Sequence, residues 1–273
     1  MPTSVFTGYF IELLFKMAEK IKVVERRGFK KIIGIFFTFF LTDTLNSLLL
    51  LFKKNKKYSF DASKYFGINL GSSTTSPQGW IGISGGVTIF FLNMPSFLLR
   101  LVYPFSGRAK KSSFSEFYQK VKTSRILHHN LFYGIPFKDA AVSNVFSSHF
   151  FEHLSYDSAQ FLAHEAFRVL KPGGMIHIVV PSLESDVEKM KQAVDDFYKG
   201  DPSAARYQLT ETYVDLTDPF SHHRFMYTFT DMKKLLSDAG FKNITDVERF
   251  KGAMPDIAPL ENRPGLIVEA IKE

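Results

Sequence analysis

The chain has 273 residues, 34 of them Lys or Arg and 27 Asp or Glu, for a formal net charge of +7. It contains no cysteine, which removes disulfides, thiolate metal sites, iron–sulfur clusters and cysteine nucleophiles together. With 45% hydrophobic and 22% charged residues the composition is globular, and the length fits one large domain or an ordinary domain with an appendage.

The charge is unevenly placed. Residues 1–60 hold 11 Lys and Arg against 4 acids, while the rest of the chain carries 23 of each sign. A catalytic domain laid along nucleic acid would carry its excess charge on the main fold, so no nucleic-acid partner is expected. Ile32 to Phe52 is a mostly apolar run of 21 residues with lysine pairs at both ends, a length that suits a bilayer span. Asp43 and Asn46 near its middle oppose a span, since a central Asp costs roughly 2.5–3.5 kcal/mol on insertion. Asp43 could instead cap a helix and divide the run into two short apolar helices edged with lysines, which suit an anionic membrane surface. Three readings stand for this basic, apolar helical extension over 1–60: contact with a membrane surface, packing on the main domain, or a true span. The first leads, and it places the protein in the cytoplasm, peripheral on the inner face of a membrane. A cleaved secretory signal is not expected, because the apolar run begins far from Met1.

From about Tyr58 short apolar runs alternate with helical patterns, as in a βαβ fold. Gly67 to Leu70 reads as a strand, Gly71 to Gly79 as a polar loop and Trp80 to Ile83 as a second strand. About nine residues between them are too few for the usual crossover helix. Val87 to Lys122 reads as a helical insert, broken at Pro95 and turning near Pro104 to Gly107. Arg125 to His129, Val142 to Ser147 and Met175 to Val180 are further strands. Leu162, Ala163, Ala166, Phe167 and Leu170 recur at helical spacing, and that helix is expected to end at Lys171-Pro172-Gly173-Gly174. Ser185 to Glu188 forms a capping box for the next helix, and Thr230 is expected to cap one ending at Gly240. Asn243 to Phe250 and Gly265 to Ile271 close the fold as strands.

Three segments carry the chemistry. Ile68-Asn69-Leu70-Gly71-Ser72-Ser73 is a strand running into a Gly-led loop, where backbone amides can approach a ligand at a sheet edge. Asn130 to Phe137 precedes a strand that leads into Ser147-Ser148-His149-Phe150-Phe151-Glu152-His153-Leu154. Phe167-Arg168-Val169-Leu170-Lys171-Pro172-Gly173-Gly174 leads into a strand ending at Val180-Pro181. In this order and spacing the segments resemble a class I S-adenosylmethionine-dependent methyltransferase. The resemblance is to the methyltransferase type 11-like branch, whose first motif runs strand, short loop, Gly-Trp, strand, as in Gly79-Trp80-Ile81-Gly82-Ile83. It extends to His223-Arg224-Phe225-Met226-Tyr227 and Glu261-Asn262-Arg263-Pro264, covering about residues 65–273.

The resemblance implies an α/β fold: a Rossmann-like seven-stranded sheet with helices on both faces, over about 61–273, holding S-adenosyl-L-methionine at its carboxyl edge. Carried over by position, Asn69, Gly71, Ser72 and Ser73 border the methionine end of the cofactor. Ser84 and Gly85 meet the ribose, Asn130 and Leu131 the adenine, and Ser148 the sulfonium and the incoming acceptor. His149, His223 and Tyr227 are the implied catalytic candidates. Three positions depart from the family pattern: Ser73 replaces its second glycine, Ser84 the ribose acid and Asn130 the adenine acid. Ser84 keeps one hydrogen bond but loses a charge-assisted pair, so weakened cofactor binding is expected. The alternative is a degenerate, non-catalytic scaffold of the same fold tethered at a membrane.

His149 to His153 also matches the H-x-x-E-H pattern of zinc proteases. Its place after a buried strand argues against a protease, and no metal is expected. Glu152 and His153 read as fixing the local helix and loop, and His128 and His129 as structural. The expected reaction is methyl transfer to an oxygen or nitrogen of a small, glycan or lipid-linked acceptor, with an anionic membrane surface as a second partner.

Overall fold

The architecture starts from strands too apolar to face water on either side. In the computed structural model, which describes residues 44–93, 95–105, 112–200 and 223–273, β1 (Gly67–Leu70), β2 (Trp80–Ser84) and β3 (Arg125–His128) pair in parallel. β4 (Val142–Ser148) and β5 (Leu170–Val180) extend the parallel sheet, and β7 (Leu266–Ile271) joins it antiparallel, with β6 (Lys242–Asp246) outside. The order β3-β2-β1-β4-β5-β7-β6 is the seven-stranded, mostly parallel sheet that the resemblance implies. By contacts the chain divides into two compact units, Met1–Leu49 and Leu50–Glu273. Of the first, only the helical residues 44–49 are described, so most of the apolar run from Ile32 lies outside the described residues.

One face of the sheet presents Ile68, Leu70, Ile81, Ile83, Val145, Ile176, Ile178 and Val268 to helices α4 (Tyr156–Val169) and α6 (Phe229–Asp238), forming the main core. Leu162, Ala163, Ala166 and Val169 of α4 recur on its buried side, as the 3.6-residue period requires. The opposite face carries Trp80, Phe146 and Val179. No helix follows β1, because the crossover from Gly71 to Gly79 is too short, so this face must be covered from elsewhere. The loop after β6 does so, burying Met254, Ile257 and Leu260 against Trp80 and Phe146. Helices α1 (Val87–Leu92), α2 (Ser96–Val102) and α3 (Phe114–Val121) follow β2, with Leu99, Tyr103, Phe117 and Val121 forming a smaller core. α5 (Leu183–Tyr198) leads away from β5.

A buried ionic group holds the cover loop. His177, with no exposed surface, places Nδ1 2.9 Å from Glu269 Oε1 and Nε2 3.1 Å from Glu261 Oε1. Glu269 also accepts from the amides of Ala253 and Met254 at 2.7 and 3.0 Å, and Glu261 accepts from that of Phe250. These bonds and His177 hold the Glu269 carboxyl below its ordinary range against the opposing effect of burial.

Four boundaries differ from the sequence reading. α4 ends at Val169, not within Lys171–Gly174, because Leu170 already pairs with Val142 and Lys272 Nζ takes up the carbonyls of Phe167 and Leu170, both at 2.7 Å. Gly173, at φ +76°, turns its amide to the Lys272 carbonyl, so the Lys-Pro-Gly-Gly segment belongs to the sheet edge. α5 begins at Leu183, where the Ser182 hydroxyl accepts from the Ser185 amide, ahead of the expected box at Ser185. Thr228, in a reciprocal box with Asp231, caps α6 in place of Thr230. β6 stops at Asp246, since the next residues leave the sheet to form the cover loop.

Replacing His177 by Leu would strand two buried carboxylates. It is expected to lower unfolding stability by about 3 kcal/mol, read as a reduced urea midpoint.

Candidate cofactor and acceptor site

Parallel strands bring every loop that follows them to one edge, so residues far apart in sequence meet there. Gly71 continues the ladder by donating its amide to the Ile83 carbonyl at 3.0 Å, then turns at φ +70°. A Cβ on Gly71 would fall 2.4 Å from the Phe150 ring, so Phe150, from the loop after β4, closes over the first loop. Ser72 turns its hydroxyl down onto Gly82, where a Cβ would lie 2.3 Å from Oγ, and this buried oxygen has no hydrogen-bond partner. Ser73 is exposed at φ +54°. That conformation is the one its family glycine would adopt freely, so the substitution carries a strain. Asn69 is buried within β1, one turn of the pleat below the loop.

The next pair of loops is more open. A Cβ on Gly86 would meet nothing nearer than the Ser84 hydroxyl at 4.0 Å, and one on Gly85 would meet the His129 carbonyl at 3.4 Å and Asn130 Cα at 3.5 Å. Ser84, Gly85 and Asn130 therefore border one space. Asn130 uses its side-chain oxygen to cap the short turn Leu131–Tyr133 through the Phe132 amide, and Leu131 is buried beneath it. Two residues that the sequence did not single out complete this wall. Leu50 lies 3.8 Å from the Gly85 position, and Lys53 Nζ donates to His128 Nδ1 at 3.1 Å. They are separated from their partners by 35 and 75 residues, and Lys53 reads locally as one of several charged flanks. A cavity of about 290 Å³ bordered by Tyr58, Asp61 and Arg125 lies at the opposite, amino-terminal ends of β2 and β3.

After β4 the chain makes a second cluster at the same edge. Ser148 is half-buried and His149, at φ +49°, donates its amide to the Val179 carbonyl at 2.8 Å. A short turn, Phe151–His153, replaces the expected helix, so His149 and His153 flank Glu152. His149 Nδ1 lies 3.3 Å from Glu152 Oε1, and its Nε2 lies 3.2 Å from the Pro264 carbonyl. His153 Nε2 is 3.9 Å from the same carboxylate oxygen, and the exposed His223 packs its ring 5.2 Å from that of His153. The Arg224 and Phe225 amides donate to the Glu152 carbonyl, which draws the segment before α6 to this loop. Tyr227 is fully buried in the main core, its hydroxyl unpartnered, and burial with nearby Tyr156 and Glu152 raises its pKa. The structure thus brings His149, His153 and His223 to Glu152, whereas Tyr227 is buried in the core.

Residues 107–178 match the family model of the methyltransferase domain. That match spans about a quarter of the chain and falls within the stretch that contains β3, β4 and most of β5. Solved structures to which this chain is similar include a methyltransferase of Thermotoga maritima, 16% identical over 92% of this chain and 99% of that one, with a TM-score of 0.41. An S-adenosylmethionine-dependent methyltransferase of Archaeoglobus fulgidus is 13% identical over 85% and 94%, at 0.40. A Haloferax volcanii methyltransferase complex with the activator Trm112 is 14% identical over 77% and 84%, also at 0.40. No curated protein matches. The cofactor of a methyltransferase domain matching that model is S-adenosyl-L-methionine, and the space beside Ser84, Gly85, Gly86 and Asn130 is open, with one hydroxyl and one amide to offer a ligand of that kind.

The Lys53–His128 contact also sets an acid limit. Burial, then Lys53, push the His128 pKa from 6.5 down to about 4, and burial lowers that of His129 as well. The unfolded chain therefore binds protons that the folded one refuses, and stability falls as pH drops from about 6.5 towards 4. His128 accounts for up to about 3 kcal/mol of that loss. Equilibrium unfolding between pH 7 and pH 4.5 should show it, and His128→Gln should flatten the slope.

Proposed function

We propose that this chain is an S-adenosylmethionine-dependent methyltransferase acting on an oxygen or nitrogen of a small, glycan or lipid-linked acceptor. The observation that carries the reading is the open shelf at Gly85 and Gly86 between Ser84 and Asn130, at the carboxyl edge of a class I sheet. Bound there, the cofactor supplies an electrophilic methyl group. The protein's share is alignment, since an in-line transfer is accelerated chiefly by proximity and orientation. Amides of Gly71 to Ser73 face the methionine end, Ser84 the ribose, and Asn130 and the Leu131 turn the adenine. Ser148 stands between the two halves, and the cluster after β4 faces the acceptor.

A hydroxyl acceptor needs its proton removed, and imidazole is the side chain suited to that near neutral pH. His223 is the exposed imidazole of the cluster, whereas both ring nitrogens of His149 already face protein atoms. His223 is therefore the base in this reading, His149 a positioning residue, and Tyr227 a packing support behind Glu152.

The lipid-linked or envelope acceptor and the membrane surface rest on the N-terminal charge and on exposed apolar side chains beside it. Leu51 and Phe52 are 48% and 87% exposed and are followed by Lys53, Lys54, Lys56 and Lys57. No described helix is long and apolar enough to cross a membrane. The second reading, a non-catalytic scaffold, is favoured by Ser73, Ser84 and Asn130 in place of the family residues.

Calorimetric titration with S-adenosylmethionine separates the two. The enzyme reading expects binding, tightened roughly tenfold by Ser84→Asp through a charge-assisted ribose contact. Absence of binding at millimolar cofactor in both chains would leave the scaffold.

A further inference from the structure

We infer that the acceptor-side cluster is a binding site for a divalent transition-metal cation of the zinc type, held by Glu152, His153 and His223. The ligand atoms of these three residues all lie within 4.8 Å of one another. They come from two separate segments, the turn after β4 and the strand-like stretch before α6, which the Arg224 and Phe225 amides tie to the Glu152 carbonyl. One carboxylate with two imidazoles is a donor set that suits zinc and its neighbours over magnesium or calcium.

The decisive group is Glu152. Its side chain has no exposed surface, and neither carboxylate oxygen has a hydrogen-bond partner among the described residues. A buried carboxylate without compensation costs several kcal/mol, so a cation at its open side is the natural counterpart. His149 lies against the same carboxylate, its Nδ1 3.3 Å from Glu152 Oε1 and its Nε2 3.2 Å from the Pro264 carbonyl. Backbone carbonyls commonly hold a metal-ligating histidine by its other nitrogen in this way.

Ligands about 2.1 Å from a tetrahedral zinc are separated from one another by about 3.4 Å. Glu152 Oε1 lies 3.9 Å from His153 Nε2, and the three ligand atoms fall within 4.8 Å of one another, so the site must draw in on binding the cation. Three protein ligands leave a fourth position for His149, water or an acceptor oxygen. The H-x-x-E-H spacing alone misdirects: the two histidines do not share a helix face, and the third ligand comes from 70 residues further on. A cation here would make His223 a ligand and not a base, and would pin the segment before α6 to the β4 loop.

The test uses the full-length, untagged chain, stripped with chelator and titrated calorimetrically with Zn²⁺, with Co²⁺ as the spectroscopic probe. One equivalent of Zn²⁺ should bind at micromolar concentration or below, and Co²⁺ should develop visible ligand-field bands. H223A, an exposed position, and the double variant H153A/H223A should weaken binding roughly a hundredfold or more. Their metal-free urea transitions report whether the fold is intact. Zn²⁺ binding only near millimolar concentration, or binding retained by a folded H153A/H223A chain, would overturn the assignment. Neither measurement requires cofactor or acceptor, so failure of S-adenosylmethionine to bind would count against the enzyme reading and leave the cation site standing.

Discussion

The buried imidazole of His177, clasped by Glu261 and Glu269, is the interaction on which the fold's second layer depends. A nine-residue crossover between β1 and β2 saves a helix but leaves one sheet face without its usual cover. The 247–265 loop fills that place with three buried apolar residues, Met254, Ile257 and Leu260, and the partly buried Val247. Apolar burial on that scale is small, and the charged group, with the amides it collects, supplies the missing definition. Trp80 completes it by donating its indole N–H to the Asp256 carbonyl at 3.2 Å. Without the clasp, Phe146 and Trp80 would lie against solvent at the centre of the sheet.

That arrangement explains why the edge loops can be short and still well defined. Gly71 is held against Phe150, Ser72 against Gly82, and His128 against Lys53, so each loop is positioned by a neighbour. Closure at Gly71 and openness at Gly86 give the edge two unlike halves. The first offers backbone groups under a ring, and the second an unfilled shelf.

Much of this was legible in the sequence because period and length decide it. Ile68 and Leu70, or Ile176, Ile178 and Val180, belong to short, mostly apolar runs that begin after a glycine and end at glycine or proline, and such runs become central parallel strands. The α4 stripe is equally plain. The cover loop was not legible: Gly252, Pro255 and Pro259 give it the texture of an ordinary connection, and what seats it are single charges on distant strands. The caps at Ser182 and Thr228 were missed because neighbouring Ser185 and Thr230 satisfy the same local pattern, and only the packing of the first helical turn chooses between them. In the site, the Gly71 and Ser84 loops follow from strand ends, whereas Leu50, Lys53 and the approach of His223 to Glu152 are tertiary and leave no local trace.

The contact of Leu50 and Lys53 with the Gly85 and His128 edge bears on how the chain is cut as well as how it folds. Lys53, Lys54, Lys56 and Lys57 are sites for a trypsin-like protease, and Lys53 sits on the rim of the shelf read as the adenosine position. A ligand that fills the shelf would hold this rim closed and slow cleavage there. Severing the chain at Lys53 would open the shelf from one side.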